Sequence, residues 1–209
     1  MTSPANRRAR LSGSECMLWI GADPGGKENF GIATLSASGE VRSSCVSCAD
    51  EAVAWISQEP SGVGVDAPLW WSSGLSSERR ADQWIRQTYK IPGGTVQSAN
   101  SLRGAALVQA VMFISRLREK FPDAPVTEAH PKAVAMALGG WDRVVATFPE
   151  VAHNNEHQRD AIFAAIAARE GFQGRWKRDL ALDRRPSEQD PRRYWLAPIN
   201  YFWPEERAS

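Results

Sequence analysis

Four acidic residues stand where chemistry is easiest to build: Asp23, Asp66, Glu128 and Asp160. The first three each close a short apolar run, and a proline follows each within a few residues: Pro24, Pro68 or Pro131. Aspartate also starts turns, so one such residue has an ordinary explanation. Three of them together are harder to explain that way. Gathered at one place, carboxylates repel one another and must either take up protons or hold a cation. An all-oxygen donor set suits Mg²⁺ or Mn²⁺ rather than zinc. Two such ions about 4 Å apart stabilise the attacking and leaving oxygens of an in-line phosphoryl displacement. His157 precedes Asp160 by three residues, which puts both on one helix face, where the imidazole can ligate metal or move a proton. Glu156, four residues before Asp160, is a lesser candidate.

The elements around these residues explain how they meet. Residues 17–22, 29–35 and 40–47 read as a three-strand meander with a hairpin turn at 36–39, and 49–58 as a helix. A short buried strand follows at 62–65. Two helical stretches, 77–89 and 102–120, precede a last strand at 125–128. Helices are expected over 131–138, stopped by Gly139-Gly140, and over 155–169, closed by Gly171. This is an α/β pattern. The first three strands are antiparallel, while strands one, four and five run parallel through right-handed crossovers. Strand order 3-2-1-4-5 places the switch point between strands one and four, and ligands bind outside the carboxyl ends of parallel strands there. Asp23, Asp66 and Glu128 are then expected at one sheet edge, with Asp160 reaching in from a covering helix.

The 209 residues accommodate one domain, expected over 17–171, with a helical insertion at 69–123. A polar N-terminal tail, 1–16, reads as disordered. The last stretch, 172–209, is an irregular arm rich in Pro and carrying Trp176, Trp195 and Trp203, which have to dock on the domain or on a second copy. Net charge is +1, yet eight basic residues face three acids between Glu78 and Lys120. No apolar run approaches the roughly 18 residues of a membrane span. Three cysteines and no signal-peptide core suggest a reducing cytoplasm. Cys45 and Cys48 have redox spacing, but a strand points positions i and i+3 to opposite faces.

Several residues can contact a substrate: Arg79 and Arg80 as a phosphate clamp, Trp70 as a stacking platform for a base, and Lys27 beside the first strand. Each has a structural alternative, a helix salt bridge for Arg79 with Asp82 and core packing for Trp70. The run from Gly21 to Lys27 imitates a P-loop. However, Glu28 stands where a Mg²⁺-binding hydroxyl is required, and a strand follows in place of a helix.

The stretches Gly21-Ala-Asp23-Pro-Gly-Gly, Gly31-Ile-Ala, Val65-Asp66-Ala-Pro-Leu69, Arg79-Arg80-Ala-Asp82, Thr127-Glu128-Ala-His130-Pro131 and the alanine-rich run from Asp160 to Ala168 together resemble one family. It is a predicted nuclease family with a ribonuclease-H-like fold, domain of unknown function 429. More distantly, Asp23, Asp66 and the His157–Asp160 pair are similar to the metal-binding acids of Holliday-junction resolvases. The resemblance spans residues 18–169. It implies a ribonuclease-H-like five-stranded mixed sheet flanked by helices, and a divalent-metal-dependent nuclease. In that reading Asp23, Asp66, Glu128 and Asp160 bind Mg²⁺ or Mn²⁺, His157 assists as a proton carrier, and the partner is nucleic acid. The alternative is a non-catalytic binding or assembly module of the same fold, dimerising through its Trp-rich arm.

Overall fold

The computed structural model describes residues 17–73, 78–97, 104–195 and 197–205. The expected N-terminal tail at 1–16 lies outside them, as do Cys16, Ser77, Leu102 and Arg103.

Strands β1 (Leu18–Asp23), β2 (Phe30–Ser36) and β3 (Val41–Val46) form the antiparallel meander. The β2–β3 turn closes because Gly39 adopts φ +85°, a conformation that costs a residue without Cβ nothing. Helix α1 (Ala49–Ala54) crosses over to β4 (Gly62–Val65), which runs parallel to β1. Helices α2 (Arg80–Tyr89) and α3 (Gly104–Lys120) lead to β5 (Val126–Glu128), parallel to β4. Then come α4 (Pro131–Ala137), α5 (Trp141–Thr147) and the long α6 (Glu156–Phe172), N-capped by the Asn155 side chain. The order 3-2-1-4-5 is the ribonuclease-H-like arrangement that the element order implied.

The sheet holds six strands rather than five. The arm supplies β6 (Arg178–Asp179), α7 (Arg192–Trp195), β7 (Ile199–Asn200) and β8 (Phe202–Trp203). Of these, β7 adds itself parallel to β5. Two residues after Pro198 are too short for any periodicity to register. Gly171 likewise does not end α6. The helix continues through it, the missing side chain leaving room for the Phe202 ring, and the chain turns at Gly174, φ +73°. The arm's tryptophans pack on their own chain: Trp176 against Phe163 and Phe148, Trp203 against Tyr89 and Tyr201. The Trp195 indole donates to the Leu69 carbonyl at 2.9 Å.

How α6 meets the sheet decides where the site lies. Gly21 and Gly64 pair across β1 and β4, and Gly31 on β2 pairs with Asp23. A Cβ at each would collide with a carbonyl of α6, namely those of Ala161, His157 and Ala164. Their absence lets the helix backbone rest directly on the strands, and Ala161, Ala164, Ala165 and Ala168 keep the helix side equally shallow. The opposite face carries α1 and α3 around larger side chains, with the Phe30 and Phe113 rings 5.7 Å apart.

Candidate active site

Strand register separates the four acids into two groups. In the parallel ladder Ala22 pairs with Val65, and Val65 pairs with Glu128. Asp23 and Asp66 are each one residue further on, with the Asp66 N–H still donating to the Ala22 carbonyl at 2.8 Å. Side chains alternate along a strand. Asp23 and Asp66 therefore share the face of Gly21 and Gly64, which α6 covers, and Glu128 points to the other face.

On the α6 side three carboxylates converge. Asp160, in the second turn of α6, is 1 % exposed, and Arg159 reaches its Oδ1 at 3.1 Å. Its Oδ2 is buried without a hydrogen bond. The nearest cation is the Lys132 ammonium from α4, 3.3 Å away, which also stands 3.8 Å from Glu156. The His157 Nδ1 is 2.8 Å from Asp23 Oδ2. Asp66 has no ion pair among the described residues. Burial raises all three carboxyls above their ordinary range. For Asp23 the His157 hydrogen bond opposes the rise; for Asp160, Lys132 and Arg159 do so. Asp66 is raised furthest, since the charges on Asp23 and Asp160 add to its desolvation. The hydrogen bond to Asp23 in turn raises the His157 imidazole. Asp23, Asp66, Lys132, Glu156 and His157 line an open cleft of about 690 Å³, together with Gly25, Gly26 and the 94–97 loop.

On the other face Glu128 is fully buried and committed elsewhere. The Arg79 guanidinium donates to both its oxygens, at 2.6 and 2.7 Å, and to both oxygens of Asp82, at 2.7 and 2.8 Å. The Leu69 N–H donates to Glu128 Oε2 at 3.0 Å. Arg79 lies 4.3 Å over the Trp70 ring, whose indole N–H donates to Glu188 at 2.9 Å. Burial works against the guanidinium, but the two carboxylates outweigh it and keep it charged. This is a closed ion cluster. Glu128 is thus placed outside the acid site, Arg79 is no phosphate clamp, and Trp70 is a core residue rather than a base platform.

The chain matches the family described as "Protein of unknown function (DUF429)" over residues 21–190. It belongs to that family. No curated protein and no solved structure matches it. In this DUF429 protein the remaining expected contacts fall apart: Lys27 is exposed on the β1–β2 turn, and Arg80 is exposed with its backbone N–H held by Glu188 at 2.7 Å.

The basic middle segment is also largely spent on the fold of this family member. Arg86 pairs with Glu78, and Arg116 with Asp50 and Glu119. Arg118 donates to the Pro122 carbonyl and Lys120 to the Ile56 carbonyl. Lys132, in contrast, escaped the sequence reading altogether. It sits in the first turn of α4, and only the packing of α6 brings Asp160 to it.

The donor chemistry of Asp23, Asp66 and Asp160 fits a hard divalent cation, and Asp160 Oδ2, ion-paired with Lys132 but accepting no hydrogen bond, keeps acceptor capacity. Among the described residues no three His, Cys, Asp or Glu side chains form a ready ligand shell. Mg²⁺ commonly needs only one or two carboxylates because it keeps several waters. No helix of the described residues is long and apolar enough to cross a membrane. Cys45 and Cys48 are both free thiols.

Proposed function

We propose that this DUF429 protein is a divalent-metal-dependent phosphodiester hydrolase acting on nucleic acid. The observation that carries the reading is the accumulation of three partly desolvated carboxylates at the switch point of the sheet, with Asp66 in no ion pair among the described residues. Asp23 and Asp66, with Asp160 behind them, would hold Mg²⁺ or Mn²⁺. When bound there, such an ion would supply an activated water and charge neutralisation for a phosphoryl group.

The chain's own residues do the rest. When the His157 Nδ1–H donates to Asp23, its Nε2 is left as an acceptor able to take a proton in the cleft. The close seat of α6 on Gly21 and Gly31 keeps that imidazole in register with the end of β1. Arg159, stacked 4.0 Å over Trp141, holds Asp160 from behind.

The test is a panel of single-stranded, duplex and junction DNA and RNA with Mn²⁺, run on the wild type and Asp66→Asn. Cleavage by the wild type, reduced at least a hundredfold in the variant, supports the reading. Absence of Mn²⁺ binding at millimolar concentration sinks it. Hydrolysis of a small phosphodiester without retention on DNA or RNA would move the substrate from nucleic acid to a small molecule. So many basic side chains being tied to internal partners makes that second substrate class worth including. Trp176, Trp195 and Trp203 all have partners within this chain, which supports docking of the arm on its own domain.

A further inference from the structure

The Lys132 ammonium has no counterpart in the chemistry so far, yet it stands inside the acid group. It comes from α4, whose first residue, Pro131, follows β5 after the buried pair Ala129 and His130, so its origin is a short, buried strand-to-helix junction. Its Nζ is 3.3 Å from Asp160 Oδ2 and 3.8 Å from Glu156 Oε2. The Arg159 guanidinium holds the other Asp160 oxygen at 3.1 Å. Both oxygens of Asp160 thus face fixed positive charge, and the residue is 1 % exposed.

Asp23 and Asp66 differ from it. They end adjacent parallel strands and line the cleft; Asp23 meets the His157 ring, Asp66 has no ion pair among the described residues, and the Lys132 charge reaches both only from longer range. A first divalent ion placed between them gains two carboxylates from one sheet edge. A second ion would need Asp160, and it would meet the Lys132 ammonium there. A dication beside an ammonium at contact distance is strongly repelled in a partly desolvated cleft. Lys132, Arg159 and one mobile dication together carry the charge needed to compensate the four carboxylates Asp23, Asp66, Glu156 and Asp160.

We infer that Lys132 takes the place of a second metal ion, making the cleft a one-ion site on Asp23 and Asp66 with a built-in ammonium beside Asp160. This rests on the metal-dependent reading above and specifies it. Lys132 acts as a positioning residue: its charge holds Asp160 in place and sets how many cations the cleft admits.

The experiment is calorimetric titration of the full chain with Mn²⁺ alone, together with electron paramagnetic resonance of the bound ion. The wild type is expected to bind one Mn²⁺ with an uncoupled spectrum. Lys132→Met is expected to bind two and to show spin coupling between them, while Lys132→Arg, which keeps the charge, stays at one. The Lys132 side chain is half exposed, so the substitutions leave the core untouched. Two ions in the wild type, one ion in Lys132→Met, or two in Lys132→Arg overturns the inference and leaves the metal reading standing. No ion bound by the wild type overturns the metal reading itself.

Discussion

Two groups of buried charge lie back to back across one sheet, and they are opposites. On the face away from α6, Arg79 satisfies Asp82 and Glu128 with four short hydrogen bonds, and no part of the cluster faces solvent. On the α6 face, Asp23, Asp66 and Asp160 share Lys132, Arg159 and one imidazole, and Asp23 and Asp66 line an open cleft. The closed group is a finished structural unit. The open group carries a charge imbalance that the fold tolerates, which is where a ligand has something to gain. Burial of an acid is common to both and distinguishes neither; the supply of partners distinguishes them.

The comparison breaks most readily at Arg79. Arg79→Met should strand two buried carboxylates and cost about 3–5 kcal/mol, read as a fall in the chemical unfolding midpoint. If the loss is under about 1 kcal/mol, the closed group is not structural. His130 gives a pH signature on the same side of the fold. It is buried, bonded to the Tyr201 hydroxyl at 2.9 Å, and burial lowers its pKa from 6.5 to about 4. The unfolded chain binds this proton more readily than the folded one. Its stabilising contribution is therefore complete above pH 6.5 and is lost as pH falls toward about 4, a change on the order of 3 kcal/mol. His130→Gln should flatten that part of the stability–pH curve.

Two further variants address the open group. Gly64→Ala drives a methyl into the Ala164 carbonyl and should cost about 1–3 kcal/mol while lifting α6 and weakening Mn²⁺ binding. Unchanged metal binding would show that the seat of α6 does not set the site. The smallest effect is expected at Asp66→Asn, and it has the opposite sign to Arg79→Met. The folded-state pKa of Asp66 is raised, so its ionisation destabilises the native state as pH climbs above 3.8. At neutral pH without metal, the amide should raise the thermal midpoint by a few degrees, about 2–4 °C per kcal/mol relieved. A lower midpoint would place Asp66 among the structural acids.

The sheet order was readable from the chain because the strands and helices alternate with clear periods, and Asp23 and Asp66 were found as strand-end acids for the same reason. Glu128 looked identical to them in sequence. Its fate depended on a one-residue offset in register and on Arg79, 49 positions away, neither of which local pattern reveals. Trp70 was ambiguous because a buried indole and a stacking platform have the same flanking residues. Lys132 was invisible because a lone lysine at a helix start has no signature until Asp160 is brought to it. Strand β7 was missed because two residues carry no period, and α5 because it buries only Val144.

The sixth strand has a practical consequence. The family match stops at residue 190, before Ile199–Asn200 closes the free side of β5 and before Tyr201 and Trp203 reach the interior. A protein cut at the family boundary would keep Asp23, Asp66 and Asp160 and lose the hydroxyl that His130 contacts. It would also bare a row of unpaired backbone donors and acceptors along β5, a template for sticking to other chains. Poor solubility of such a truncation would report a missing edge, and would say nothing about the chemistry at the far end of the sheet.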